Sequence, residues 1–128
     1  MRGVKRLDDI YRGIDIDTGS WIEGKLDPKY NQIYLEFGDE RINFDVFKDT
    51  ISKWSYFRDR VGYKVFEGDI LKITRGNSEY KAKVVIWRGY FRVELSMFGQ
   101  KKVRLLDLIN TGHKIEVVGN VYNKNESW

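Results

Sequence analysis

The stretch YKAKVVIWRGYFRVEL, Tyr80 to Leu95, decides how the rest of the chain is read. A two-residue Arg88-Gly89 loop separates two runs of alternating apolar and polar residues, which is the sequence signal of a β-hairpin. If Trp87 pairs with Tyr90 across that loop, Ile86 faces Phe91, Val84 faces Val93 and Ala82 faces Leu95 on one side of the ribbon. Val85, Lys83 and Lys81 then face Arg92, Glu94 and Ser96 on the other. The first six are expected in a core and the second six in water. Lys83 opposite Glu94 is a complementary cross-strand pair worth about 0.2–1 kcal/mol, and a slip of one residue would bury it.

Outward from this hairpin the same alternation recurs. IYRGIDI (Ile10 to Ile16) and WIEGKL (Trp21 to Leu26) flank Asp17-Thr18-Gly19-Ser20, a cluster of turn formers, and read as a second hairpin. QIYLEF (Gln32 to Phe37) follows the Asp27-Pro28 turn as a third strand. Gly38-Asp39 reverses the chain into RINFDVF (Arg41 to Phe47). The segment Val46 to Trp54 suits a strand end or one to two helical turns equally, and stays unassigned. VRLLDLIN (Val103 to Asn110) carries a helical stripe of leucines closed by Thr111-Gly112. KIEVVGNVY (Lys114 to Tyr122) is a strand interrupted at Gly119, as at a bulge. With one proline and 12 glycines acting as punctuation, the expected fold is all-β, mostly antiparallel, with one short helix near the C-terminus.

The sequence VFEGDILKI, Val65 to Ile73, admits two readings. Glu67 and Asp69 could be a carboxylate site, but neighbouring segments offer no further ligands or bases at a useful spacing. The favoured reading is a turn in which Gly68 takes a positive φ and Asp69 accepts hydrogen bonds from nearby backbone amides, leading into a strand over Ile70 to Thr74.

Composition removes many chemistries. The 128 residues include no cysteine and a single histidine, His113, so thiol nucleophiles, disulfides and multi-histidine metal sites have no material. His113, next to Gly112, reads as a helix C-terminal cation rather than a catalytic base. No nucleophile and base, phosphate loop or metal cluster can be assembled, so the expectation is a non-enzymatic protein with no cofactor. No stretch has the length and hydropathy of a membrane span or a secretory signal, and the expected location is the cytoplasm, without a membrane partner. Residues 1–64 carry 12 Lys/Arg and 12 Asp/Glu, whereas residues 65–128 carry 11 and 7, so the whole net charge of +4 sits in the second half.

Four ordered segments carry a resemblance: YRGIDIDTGSWIEGKL, VGYKVFEGDILKI, VVIWRGYF and IEVVGNVYNKNE. Together they span nearly the whole chain, and they resemble the landmarks of the YopX family of phage and prophage proteins. The resemblance implies an N-terminal β lobe over residues 1–60, followed by a small SH3-like barrel over residues 61–128. It supplies a fold and a phage context, the host bacterial cytoplasm included, but no activity. The chain departs from many relatives in its linker, WSYFRDRVGYKVFEGD, which is shorter and more aromatic.

Two kinds of partner fit these residues. Aromatic content of 15% with Trp, Tyr and Arg prominent suits a protein-interaction or homo-oligomeric module docking a host or phage protein, while Trp128, ending a polar tail, is compatible with packing back, docking a neighbouring subunit or staying free. The alternative is a weak, sequence-nonspecific nucleic-acid-binding surface made of Lys81, Lys83, Trp87, Arg88, Tyr90 and Arg92. Cations there would track phosphates and the aromatic rings would stack on bases. The competing use of that face is packing under the N-terminal lobe.

Overall fold

The structure, a computed structural model, describes residues 9–95 and 101–122; Ser96 and Trp128, both singled out above, lie outside them. The fold is mostly antiparallel β with two sheets and one short helix near the C-terminus. The chain divides into two compact units between Trp54 and Ser55. Among the described residues, no helix is long and apolar enough to cross a membrane.

The first unit is a meander. Strands β1 (Tyr11–Ile14), β2 (Trp21–Asp27), β3 (Gln32–Phe37) and β4 (Glu40–Asp45) pair in sequence, and the start of β5 (Ser52–Arg58) adds to the other side of β1. Asp15 builds the first reversal: its carboxylate accepts from Asp17 N and Thr18 Oγ1 at 3.3 and 2.8 Å, while its carbonyl accepts from Gly19 N. Gly24 of β2 is a place where only glycine fits, because a Cβ there would stand 2.5 Å from the Tyr34 carbonyl oxygen. The unassigned segment resolves into a 3-10 turn, Lys48–Thr50, followed directly by β5. Thr50 settles the choice: its Oγ1 donates to Phe47 O and accepts from Ile14 N, tying the turn to β1.

The second unit holds the rest of β5, then β6 (Lys64–Phe66), β7 (Asp69–Arg75), β8 (Ser78–Trp87), β9 (Tyr90–Leu95), β10 (Lys101–Arg104), helix α1 (Leu105–Asn110) and β11 (Lys114–Asn120). Five strands form an antiparallel sheet in the order β10-β9-β8-β7-β11. Its inner face supplies Leu71, Ile73, Ala82, Val84, Val93, Leu95 and Ile115 to one core, which Leu105 and Leu108 of α1 cap. Each of these Val, Leu and Ile side chains contributes about 1.5–3 kcal/mol by leaving water. The helix ends in a Schellman motif, with Gly112 at φ +79, Gly112 N donating to Ile109 O and His113 N to Leu108 O. The bulge expected at Gly119 is present as a register shift between Val117 and Gly119.

The β8–β9 hairpin has the register read from sequence, from Trp87 opposite Tyr90 to Lys83 opposite Glu94. Two expectations change. Ile86 belongs to the core-facing set but is 40% exposed. The reason is strand length: β7 pairs with β8 only as far as Lys83, so the tip of the ribbon extends beyond its neighbour. Phe91, opposite Ile86, is half-buried and packs against the edge of the core. Val103 and Arg104, read as helix, are the end of β10; the helix starts at Leu105.

Candidate functional site

Glycine and aspartate in the Glu67-Gly68-Asp69 turn serve the backbone. Gly68 has φ +86, its N–H donates to Val84 O, and its carbonyl accepts from Val121 N. Asp69 is 1% exposed and its Oδ2 accepts from Phe66 N at 2.8 Å. Burial holds the Glu67 carboxyl above its ordinary pKa. Among the described residues, no cluster of His, Cys, Asp and Glu is placed to hold a metal. His113 Nδ1 lies 2.9 Å from Thr111 Oγ1 and 3.2 Å from Leu108 O, at the helix C-terminus where the sequence puts it.

The β8–β9 hairpin tip projects beyond the Glu67-Gly68-Asp69 turn at the same end of the sheet, three residues along β8 from Val84, and differs in character. Arg88 and Gly89 have φ +50 and +80, the two positive values of a type I′ turn, and this turn presents Trp87 and Tyr90 side by side at the hairpin tip. They are 46% and 52% exposed. Arg92 Nε donates to Trp87 O at 3.0 Å, which fastens the tip. The outer face of the sheet then forms rows in which paired residues point the same way: Lys83, Glu94 and Lys102; Val85, Arg92 and Arg104; Trp87 and Tyr90.

Each exposed ring is flanked by two cations, one from the hairpin itself and one from β10. Around Trp87 the Arg88 guanidinium lies 5.6 Å and Lys102 Nζ 4.7 Å from the ring centroid. Around Tyr90, Arg92 and Arg104 lie at 5.5 and 5.1 Å. Each of these contacts is within cation–π range. Lys102 also pairs with Glu94 at 3.7 Å, and Arg104 Nε with Asp107 at 3.2 Å. Five cations, Lys83, Arg88, Arg92, Lys102 and Arg104, therefore face two carboxylates, and the excess is positive.

Of the six residues named from sequence, the structure brings Trp87, Arg88, Tyr90 and Arg92 together at the tip. Lys83 is half-buried beside Glu94, two rows away. Lys81 is exposed on the same face but stands opposite Lys72, about 20 Å along the strand from Trp87. Lys102 and Arg104 were missed. Their alternation around Val103 was the available signal, but the leucines that follow drew the segment into a helix.

Beside the tip, a cavity of about 200 Å³ opens between β9 and α1, lined by Phe57, Gly89, Tyr90, Phe91, Arg104 and Leu106. Leu106 is 49% exposed on a helix whose other leucines, Leu105 and Leu108, are buried. The first unit carries a separate apolar patch. Leu35, Phe37 and Ile42 share a face at the end of the β3–β4 hairpin, with Phe37 58% and Ile42 46% exposed.

What this geometry can do is hold a flat, anionic partner by stacking and charge. No curated protein matches the chain. The YopX protein family model matches residues 11–127, nearly the whole length with both units included, and the chain belongs to that family.

Proposed function

We propose that this protein is a non-enzymatic phage or prophage accessory factor of the bacterial cytoplasm that binds single-stranded nucleic acid with little sequence preference. The observation that carries the reading is the pair of exposed rings, Trp87 and Tyr90, each within cation–π range of two cations, one from the hairpin and one from β10. Unpaired bases offer a π-face to such rings whatever their identity, and phosphates between the bases meet Arg88, Arg92, Lys102 and Arg104. Same-face rows along a strand repeat about every 7 Å, so successive contacts can follow an extended chain.

Fluorescence anisotropy of labelled single-stranded DNA, titrated with salt, tests it. Four neutralised phosphates imply a log–log slope near -3, from about -0.7 for each. Changing Arg88, Arg92, Lys102 and Arg104 to glutamine should flatten it. Absence of binding at low salt, or a slope untouched by those changes, removes the reading.

A second reading is favoured by the exposed Phe37 and Ile42 of the first unit. These residues suit a docking patch for a host or phage protein, or for another copy of this chain. Capture from host extract with and without nuclease separates the two: partners that survive nuclease belong to the protein reading.

A further inference from the structure

The cavity beside the hairpin tip is continuous with the face that carries the proposed function, because Tyr90 and Arg104 line both. The remaining lining residues are Phe57, Phe91, Leu106 and Gly89, and a Cβ at Gly89 would meet nothing within 4 Å. The volume of about 200 Å³ is below the roughly 300–1,000 Å³ of pockets for drug-sized ligands, so it suits one flat ring system. Leu106 is an apolar residue left out of the core at the cavity rim, where burial against a ligand would remove its cost in water. Arg104, the one charged group among the described lining residues, has its Nε held by Asp107, which keeps the guanidinium near the Tyr90 ring.

Resting on the nucleic-acid reading, we infer that this cavity takes one splayed-out base of the bound strand, inserted between Tyr90 and Leu106 with its phosphate on Arg104. The walls are almost wholly apolar, so they select an unpaired ring over a paired one without reading which base it is. Duplex DNA is excluded because its bases are stacked and paired. The hairpin tip thus distinguishes single from double strands, while the cations alone would bind both.

The test uses the full chain and two labelled oligothymidine strands of equal length, one normal and one with abasic sites throughout, compared at matched salt concentrations across a titration. The normal strand should bind about tenfold tighter, the size of a stacking contribution. Leu106→Trp fills the cavity and should shrink that difference while leaving the salt slope as it was. Leu106→Gln, better suited to an exposed helical position and without added charge, removes the apolar wall and provides the same comparison if the tryptophan variant loses its thermal transition. Equal affinity for the two strands overturns the inference, as does an abasic penalty that both variants leave unchanged. An unchanged penalty leaves ring stacking and the reading of the face in place, whereas equal affinity removes base stacking from that reading as well and leaves only charge. If neither strand binds at low salt, both fall together.

Discussion

Lys102 Nζ lies 4.7 Å from the centroid of the Trp87 ring, although these residues belong to β10 and β8, which are separated in the sheet by β9. The contact crosses the outer face diagonally, and it makes β10 part of the surface that the hairpin tip begins. Lys102→Gln and Arg104→Gln should therefore each reduce the salt slope of single-strand binding by about 0.7. Lys81→Gln, far along β8, should leave it unchanged. Equal effects at Lys81 and Lys102 in the anisotropy titration would mean that diffuse charge, rather than the tip, does the binding.

Tyr122 closes over Gly68, where a Cβ would stand 2.7 Å from the tyrosine Cε2. Gly68→Val adds that overlap to a positive φ that a β-branched residue resists, and it should cost about 3 kcal/mol or more. Asp69→Asn keeps an acceptor for Phe66 N–H and should cost less than Asp69→Ala, which leaves that buried donor unmade at about 1–3 kcal/mol. Urea denaturation of the three variants checks the order Gly68→Val, Asp69→Ala, Asp69→Asn.

Asp59 joins segments far apart in sequence. It is 6% exposed; Oδ1 accepts from Val61 N and Tyr63 N, and Oδ2 accepts from Val117 N at 3.0 Å. Asp59→Ala removes all three acceptors and should destabilise the second unit by about 3 kcal/mol, more than Asp59→Asn, which retains one oxygen. Hydrogen exchange at Val61, Tyr63 and Val117 should accelerate together in the alanine variant. Acceleration at Val61 and Tyr63 alone would show that β11 is held by its ladder with β7 and not by this carboxylate.

Glu67 gives a pH dependence. Its folded-state pKa is raised above the ordinary 4.5 by desolvation, so the folded protein holds the proton more tightly than the unfolded chain. That contribution is fully present below the unfolded pKa and is lost as pH rises through the higher folded value. Glu67→Gln should accordingly melt higher than the native protein at pH 7, with the gap closing by pH 4. A gap that widens on acidification would reverse the sign of the argument.

The amino-acid sequence determined the hairpins by itself. Local chemistry suffices there: a two-residue Arg88-Gly89 turn fixes which residues pair, alternation fixes which face is wet, and Gly68, Gly112 and Gly119 mark a turn, a helix end and a bulge. The family was legible for a related reason, since its landmarks are these same turns in order. Tertiary structure decided what depends on neighbours distant in sequence. Ile86 alternates like a core residue, yet β7 stops short of it, and no local pattern reports the length of the next strand. Thr50 turned an ambiguous segment into a 3-10 turn by bonding to Ile14. Arg104 could continue a strand or begin a helix, and pairing with Arg92 on β9 made it the last residue of β10. That choice, fixed by a sheet edge rather than by propensity, is what set a second cation beside each ring.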